Sequence, residues 1–141
     1  MMKIAIVYWS GTGNTEAMAK EIAVGARGKG ASVDLFTAAD FEASKAGSYD
    51  VLAFGCPAMG AEELEEDEFA PMFEAVEPEL SGKKVALFGS YGWGDGEWMR
   101  TWQEQVEGDG ANMVADGLIV NEEPDEDGLA QCKALGEQLT A

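Results

Sequence analysis

The chain has 141 residues, 27 acidic and 9 basic side chains, a net charge of −18 and no histidine. The length suits one domain, residues 1–141, with a full hydrophobic core. The acidic field excludes nucleic acid and anionic membranes as natural partners, favours basic protein surfaces and opposes self-association, so a monomer is expected. The missing histidine removes the commonest metal ligand and the commonest general base.

Residues 3–9 are nearly all apolar and read as a central parallel strand. Residues 14–27 read as a helix that turns Met18, Ala19, Ile22, Ala23 and Ala26 toward the sheet, with Gly28 and Gly30 stopping it. A short strand at 33–36 follows, then a loop or brief helix at 37–47, then a strand at 49–55. Residues 56–68 form a long loop. Phe69, Met72, Phe73 and Val76 then fall on one helical face. Residues 85–89 make another buried strand, and 90–96 a glycine-rich loop. Asp95 is placed to cap the next helix, which buries Trp98, Met99, Trp102 and Val106. A last short strand covers 118–120, and Pro124 opens a final helix with Leu129, Cys132, Leu135 and Leu139 inward. Cys56 and Cys132 read as two buried thiols. No run is long enough to span a membrane and no signal peptide is recognisable, so a cytoplasmic location is expected.

Strands alternating with helices predict the doubly wound α/β class, a parallel sheet covered on both faces. Ligands of such sheets sit beyond the carboxyl ends of the strands. The first of the loops there is Ser10-Gly11-Thr12-Gly13-Asn14-Thr15, between strand and helix. It has no Lys after its last glycine, which excludes a triphosphate loop, and Glu16 stands where a dinucleotide fingerprint needs a third glycine. What remains is anion binding by helix-terminal N–H groups and neutral side chains, or a plain βα turn that uses glycine for its backbone freedom. The second loop offers Cys56-Pro57-Ala58-Met59-Gly60, and the third places Tyr91 and Trp93 between glycines. A soft thioether and an aromatic ring on neighbouring loops can sandwich a flat ring. A phosphate and a flat ring on one sheet edge suggest a mononucleotide, with flavin mononucleotide (FMN) one good candidate; Trp93 covering a surface groove is the plain alternative.

With these loops the chain resembles the flavodoxins, FMN electron carriers, of the short-chain type found in anaerobic bacteria. The resemblance rests on residues 8–16, on 55–60, on the run GKKVALFGSYGWGDG at 82–96 and on 123–126. It implies a five-stranded sheet in the order 2-1-3-4-5. It implies that Ser10, Thr12, Gly13, Asn14, Thr15 and Ser90 hold the FMN phosphate, with Trp9, Gly11, Pro57, Ala58 and Gly94 around the cofactor. Trp93 would stack on one flavin face and Met59 lie on the other. Glu62 would meet the N3 edge, and the backbone of Tyr91 and Gly92 the pyrimidine oxygens. Gly60 would turn its peptide over on reduction and so favour the semiquinone. Two positions depart from the family pattern: Pro57 stands where Ser or Thr is common, and Ala61 where Asp is common.

The resemblance implies a low-potential, one-electron, non-enzymatic carrier between redox partner proteins. The acidic run at 62–68 reads as a docking face for partners with basic surfaces. One rival is an FMN-dependent NAD(P)H:quinone or flavin reductase, which needs substrate room where Trp93 would lie. Another is a flavin-free signalling module, which needs carboxylates where the first strand ends in Tyr8-Trp9-Ser10.

Overall fold

The computed structural model describes residues 2–60, 63–92 and 94–141. Three apolar runs form the centre of the sheet: β1 (Lys3–Tyr8), β3 (Val51–Gly55) and β4 (Lys84–Tyr91). Their apolar residues, from Ile4–Val7 through Leu52 and Phe54 to Val85–Phe88, are sealed from water on both faces. Such continuous burial belongs to a parallel sheet with helices on each side. β2 (Ser32–Thr37) pairs with β1 at one edge. The strands of the sheet pair in parallel, in the order β2-β1-β3-β4 and then β5 (Asn112–Met113).

The fifth place differs from the expected single strand at 118–120. It is shared by β5 (Asn112–Met113) and β6 (Leu118–Asn121), which pair with the start and the end of β4. Between them the chain leaves the ladder, and there Gly117 lies against Met99: a Cβ would sit 2.4 Å from the Met99 sulfur. Gln103 accepts the Gly117 N–H at 2.9 Å and holds the break. A two-residue strand containing Asn carries no periodicity that a sequence pattern can show.

Helices α1 (Asn14–Gly28) and α4 (Glu126–Gln138) cover one face. They touch backbone to backbone: a Cβ on Gly136 would lie 2.0 Å from the Ile22 carbonyl oxygen, and one on Gly25 would lie 2.0 Å from that of Lys133. Helices α2 (Phe69–Val76) and α3 (Glu97–Gly108) cover the other face. There Phe54, Phe69, Phe73 and Trp102 form a mostly edge-to-face cluster with centroids 5.1 to 5.9 Å apart, a favourable arrangement for aromatic quadrupoles.

Two caps differ from expectation. Gly96, with φ 88°, precedes α3, and Asp95 does not cap it; Asp95 instead pairs with Arg100 at 3.1 Å. The cap of α4 is Asp125, whose Oδ1 accepts from the Gly128 N–H at 2.8 Å. Among the described residues no helix is long and apolar enough to cross a membrane.

Candidate functional site

Because β1, β3 and β4 run parallel, the loops that leave their carboxyl ends meet on one edge. The first loop is shaped by Ser10. Its Oγ accepts from the Gly13 N–H at 3.1 Å and from the Glu16 N–H at 3.2 Å. It therefore caps α1 from outside the helix, while Gly13, at φ 96°, makes the left-handed step into it. The N–H groups of Gly11, Thr12, Asn14 and Thr15 have no acceptor among the described residues. These are the unpaired donors of a helix start, and the helix dipole adds positive potential there.

Thr15 does not face the opening. It is 1% exposed, and its hydroxyl bonds Ser90 Oγ at 3.2 Å and accepts the Ser90 N–H at 3.4 Å. It positions Ser90, whose side chain reaches the cavity wall. Trp9 flanks the loop on the other side. Its ring lies close over Gly11, where a Cβ would sit 3.0 Å from Trp9 Cη2 and the ring would have to shift. Its Nε1 donates to Glu68 Oε1 at 3.1 Å.

The second loop lies across β4. The Cys56 N–H donates to the Phe88 carbonyl and the Ala58 N–H to that of Ser90. Gly89 permits the contact, since a Cβ there would sit 2.2 Å from the Cys56 carbonyl oxygen. Met59 and Glu63 then exchange two backbone bonds of 2.8 and 2.9 Å, closing a tight turn that starts at Gly60 with φ 49°. Burial pushes the Cys56 thiol up to about 12, so it stays protonated and is no nucleophile.

On the third side, Tyr91 packs on Trp98 with centroids 5.7 Å apart, and Trp98 Nε1 donates to the Cys56 carbonyl at 3.1 Å. The Tyr91 carbonyl accepts from the Glu122 N–H at 2.7 Å. Glu122 adopts φ 55°, the only described non-glycine residue with positive φ. Such strain concentrates at functional sites.

These loops enclose a cavity of about 580 Å³. Trp9, Gly11, Thr12 and Asn14 line it from the first loop, Pro57, Ala58 and Met59 from the second, and Ser90, Tyr91 and Gly92 from the third. Ser10 opens onto an adjoining groove and Gly60 onto another. Gly13, Thr15 and Gly94 do not line the cavity among its described walls. Glu62 and Trp93 lie outside the described residues.

Among the described residues the lining holds no cation, and its far side carries Glu122 and Glu123. An anion here is held by amides and hydroxyls alone. The residues present fit FMN: the acceptor-free amides of Gly11, Thr12 and Asn14 on the lining suit a phosphate, and an apolar wall of Trp9, Ala58, Met59 and Tyr91 suits a flat ring.

Sequence reading missed Glu65, Glu122 and Glu123. Glu65 stands in a run of acids that reads as one docking face, yet it is buried. Glu122 reaches the wall only through the parallel pairing of β6 with β4.

The family model for flavodoxin matches residues 6–136. The chain is 51% identical over 134 residues to the flavodoxin of Megasphaera elsdenii, covering 95% of this chain and 96% of the relative. It is 53% identical over 121 residues to that of Clostridium beijerinckii, covering 86% and 88%. The solution structure of two-electron reduced M. elsdenii flavodoxin superposes with a TM-score of 0.89 at 50% identity, over 96% of this chain and 97% of that one.

Proposed function

We propose, from the premise that this chain belongs to the flavodoxin family and carries electrons on FMN between redox proteins, that the cavity at the strand ends holds the FMN. The chain is an electron-transfer protein, not an enzyme. Bound FMN supplies the redox chemistry at its ring. The chain binds it, orients it and sets the field around it.

The amides of Gly11, Thr12 and Asn14 hold the phosphate, with the hydroxyl of Thr12 and, from the adjoining groove, that of Ser10 as further donors, and Thr15 acts by steadying Ser90. Ser10 can donate its O–H outward because its oxygen already accepts from Gly13 and Glu16. Met59 serves one ring face and Trp93 the other, Glu62 serves the N3 edge, and the backbone of Tyr91 and Gly92 serves the pyrimidine oxygens. Gly60 supplies a peptide free to turn over toward the ring. With no cation among the described lining residues and with Glu122 and Glu123 in the wall, added negative charge on the ring is disfavoured, and the couple that creates it lies low.

The observation that carries this reading is the set of three amides without an acceptor, of Gly11, Thr12 and Asn14, on a cavity with no cation among its described lining residues. It predicts that the apoprotein binds FMN at least about 100-fold more tightly than riboflavin, which lacks only the phosphate. Equal affinities by fluorescence titration would sink it.

Partners dock on the acidic face through basic surfaces of their own. Glu63, Glu66, Asp67 and Glu68 are all exposed beside the Met59 turn. The like charge keeps the chain a monomer, folded as one FMN-binding domain, and it works in the cytoplasm. Association with a redox partner slows steeply as salt rises; a flat salt dependence in stopped-flow traces contradicts docking of this kind.

A further inference from the structure

Glu65 stands among exposed acids but is itself 6% exposed. Its carboxylate accepts three backbone N–H bonds of 2.8 Å, from Asp67 to Oε2 and from Glu68 and Phe69 to Oε1. Among the described residues no Lys or Arg pairs with it. Burial alone raises the pKa of this carboxyl, but the bonds from Phe69, Glu68 and Asp67 outweigh it and hold the group below the ordinary glutamate range.

The backbone of Glu65 is tied as firmly. Its N–H donates to Cys56 Sγ at 3.4 Å, and its carbonyl accepts from the Ala70 N–H at 2.8 Å. Two residues earlier, Glu63 closes the turn with Met59; three residues later, Glu68 accepts from Trp9. One buried anion thus joins the start of α2 to the loop that carries Met59 and Gly60, and through Glu68 to the ring beside the phosphate loop. A cap serving α2 alone does not require the bond to Cys56 or the closed turn at Met59.

We propose that Glu65 is a positioning residue for the cofactor: by clamping residues 65–69 to Cys56 it fixes the backbone of Met59, the anchor from which the Gly60 peptide turns, against the ring, and so sets how tightly each redox state is held. This rests on the reading that FMN occupies the cavity. Replacing Glu65 with Gln keeps an oxygen for Glu68 and Phe69 but turns an NH2 toward the Asp67 N–H. The loop then loses its fixed geometry while α2 keeps most of its cap.

The test compares wild type, Glu65→Gln and a control, Phe73→Leu, which loosens the buried face of α2 while leaving the Glu65 carboxylate and its three amide bonds in place. FMN affinity, the two one-electron potentials and apoprotein melting temperature are measured for each. The expected result is an FMN dissociation constant about tenfold higher in Glu65→Gln. Its first couple falls by up to about 59 mV, the equivalent of a tenfold change in relative hold. Phe73→Leu lowers the melting temperature with both potentials unchanged. If Glu65→Gln lowers the melting temperature alone, or Phe73→Leu moves the potentials as far, the positioning role is overturned and the FMN reading stands. If wild type binds no FMN, both fall.

Discussion

The carboxyl pair at the other end of the molecule gives a pH dependence that can be worked through. Glu77 follows α2, and Asp109 follows α3. Asp109 Oδ2 is buried and has no donor among the described residues. Glu77 accepts from Gln105 Nε2 on its other side. Burial, then the hydrogen bond and charge of Asp109, push the Glu77 carboxyl from 4.5 up to about 7, with Glu74 adding repulsion and Gln105 opposing. A protonated Glu77 carboxyl can donate to Asp109, whereas an ionised one repels it. The folded pKa is raised, so this stabilisation is fully present below about 4.5 and is lost as pH rises through about 7.

The ceiling is about 3 kcal/mol, from about 1.4 kcal/mol for each tenfold change in proton affinity. Glu77 keeps part of its surface in water, which screens that to about 1 kcal/mol. Glu77→Gln carries the missing N–H at every pH and still accepts from Gln105. Urea denaturation of the holoprotein between pH 4.5 and 8 should show wild type losing about 1 kcal/mol relative to Glu77→Gln across that range. The variant should be the more stable protein at pH 8. Parallel curves, or a less stable variant at pH 8, would refute the shared proton.

At Gly60 an added methyl meets open space, so Gly60→Ala acts through the left-handed φ alone, at about 1 kcal/mol. It should bring the two one-electron couples closer together; a spectroelectrochemical titration with unchanged separation counts against the turning peptide. Glu122→Gly relieves φ 55° and removes one wall charge. It should stabilise the apoprotein by up to about 1 kcal/mol and raise the lower couple, whereas destabilisation in thermal melts would show that the strain is only apparent. Gly136→Ala drives a methyl into the Ile22 carbonyl and should cost about 2 kcal/mol or more as α1 and α4 part. A melting temperature equal to wild type would mean the helices separate freely.

Much of the fold is legible because the three central strands are uninterrupted apolar runs, and a strand buried on both faces leaves no other reading of Ile4–Val7 or Val85–Phe88. Parallel pairing then brings the loops to one edge without further information. The split fifth strand was hidden because its geometry depends on Met99 and Gln103 from α3 meeting Gly117. Glu65 was hidden for a related reason. Its sequence neighbours Glu63, Glu66, Asp67 and Glu68 are exposed acids, and only the fold shows that one of the run turns inward onto three amides. Asp95 had the right spacing for a cap but found Arg100 instead. Local propensity proposes such partners and tertiary contacts choose among them.

The most direct test of the central claim is the visible absorption spectrum of the FMN-loaded protein during stepwise anaerobic reduction, with potentials recorded alongside. The account predicts a yellow protein that passes through a blue, one-electron-reduced flavin before bleaching, with the second couple well below the first. Direct bleaching in a single two-electron step, or a protein that takes up no FMN, would contradict it.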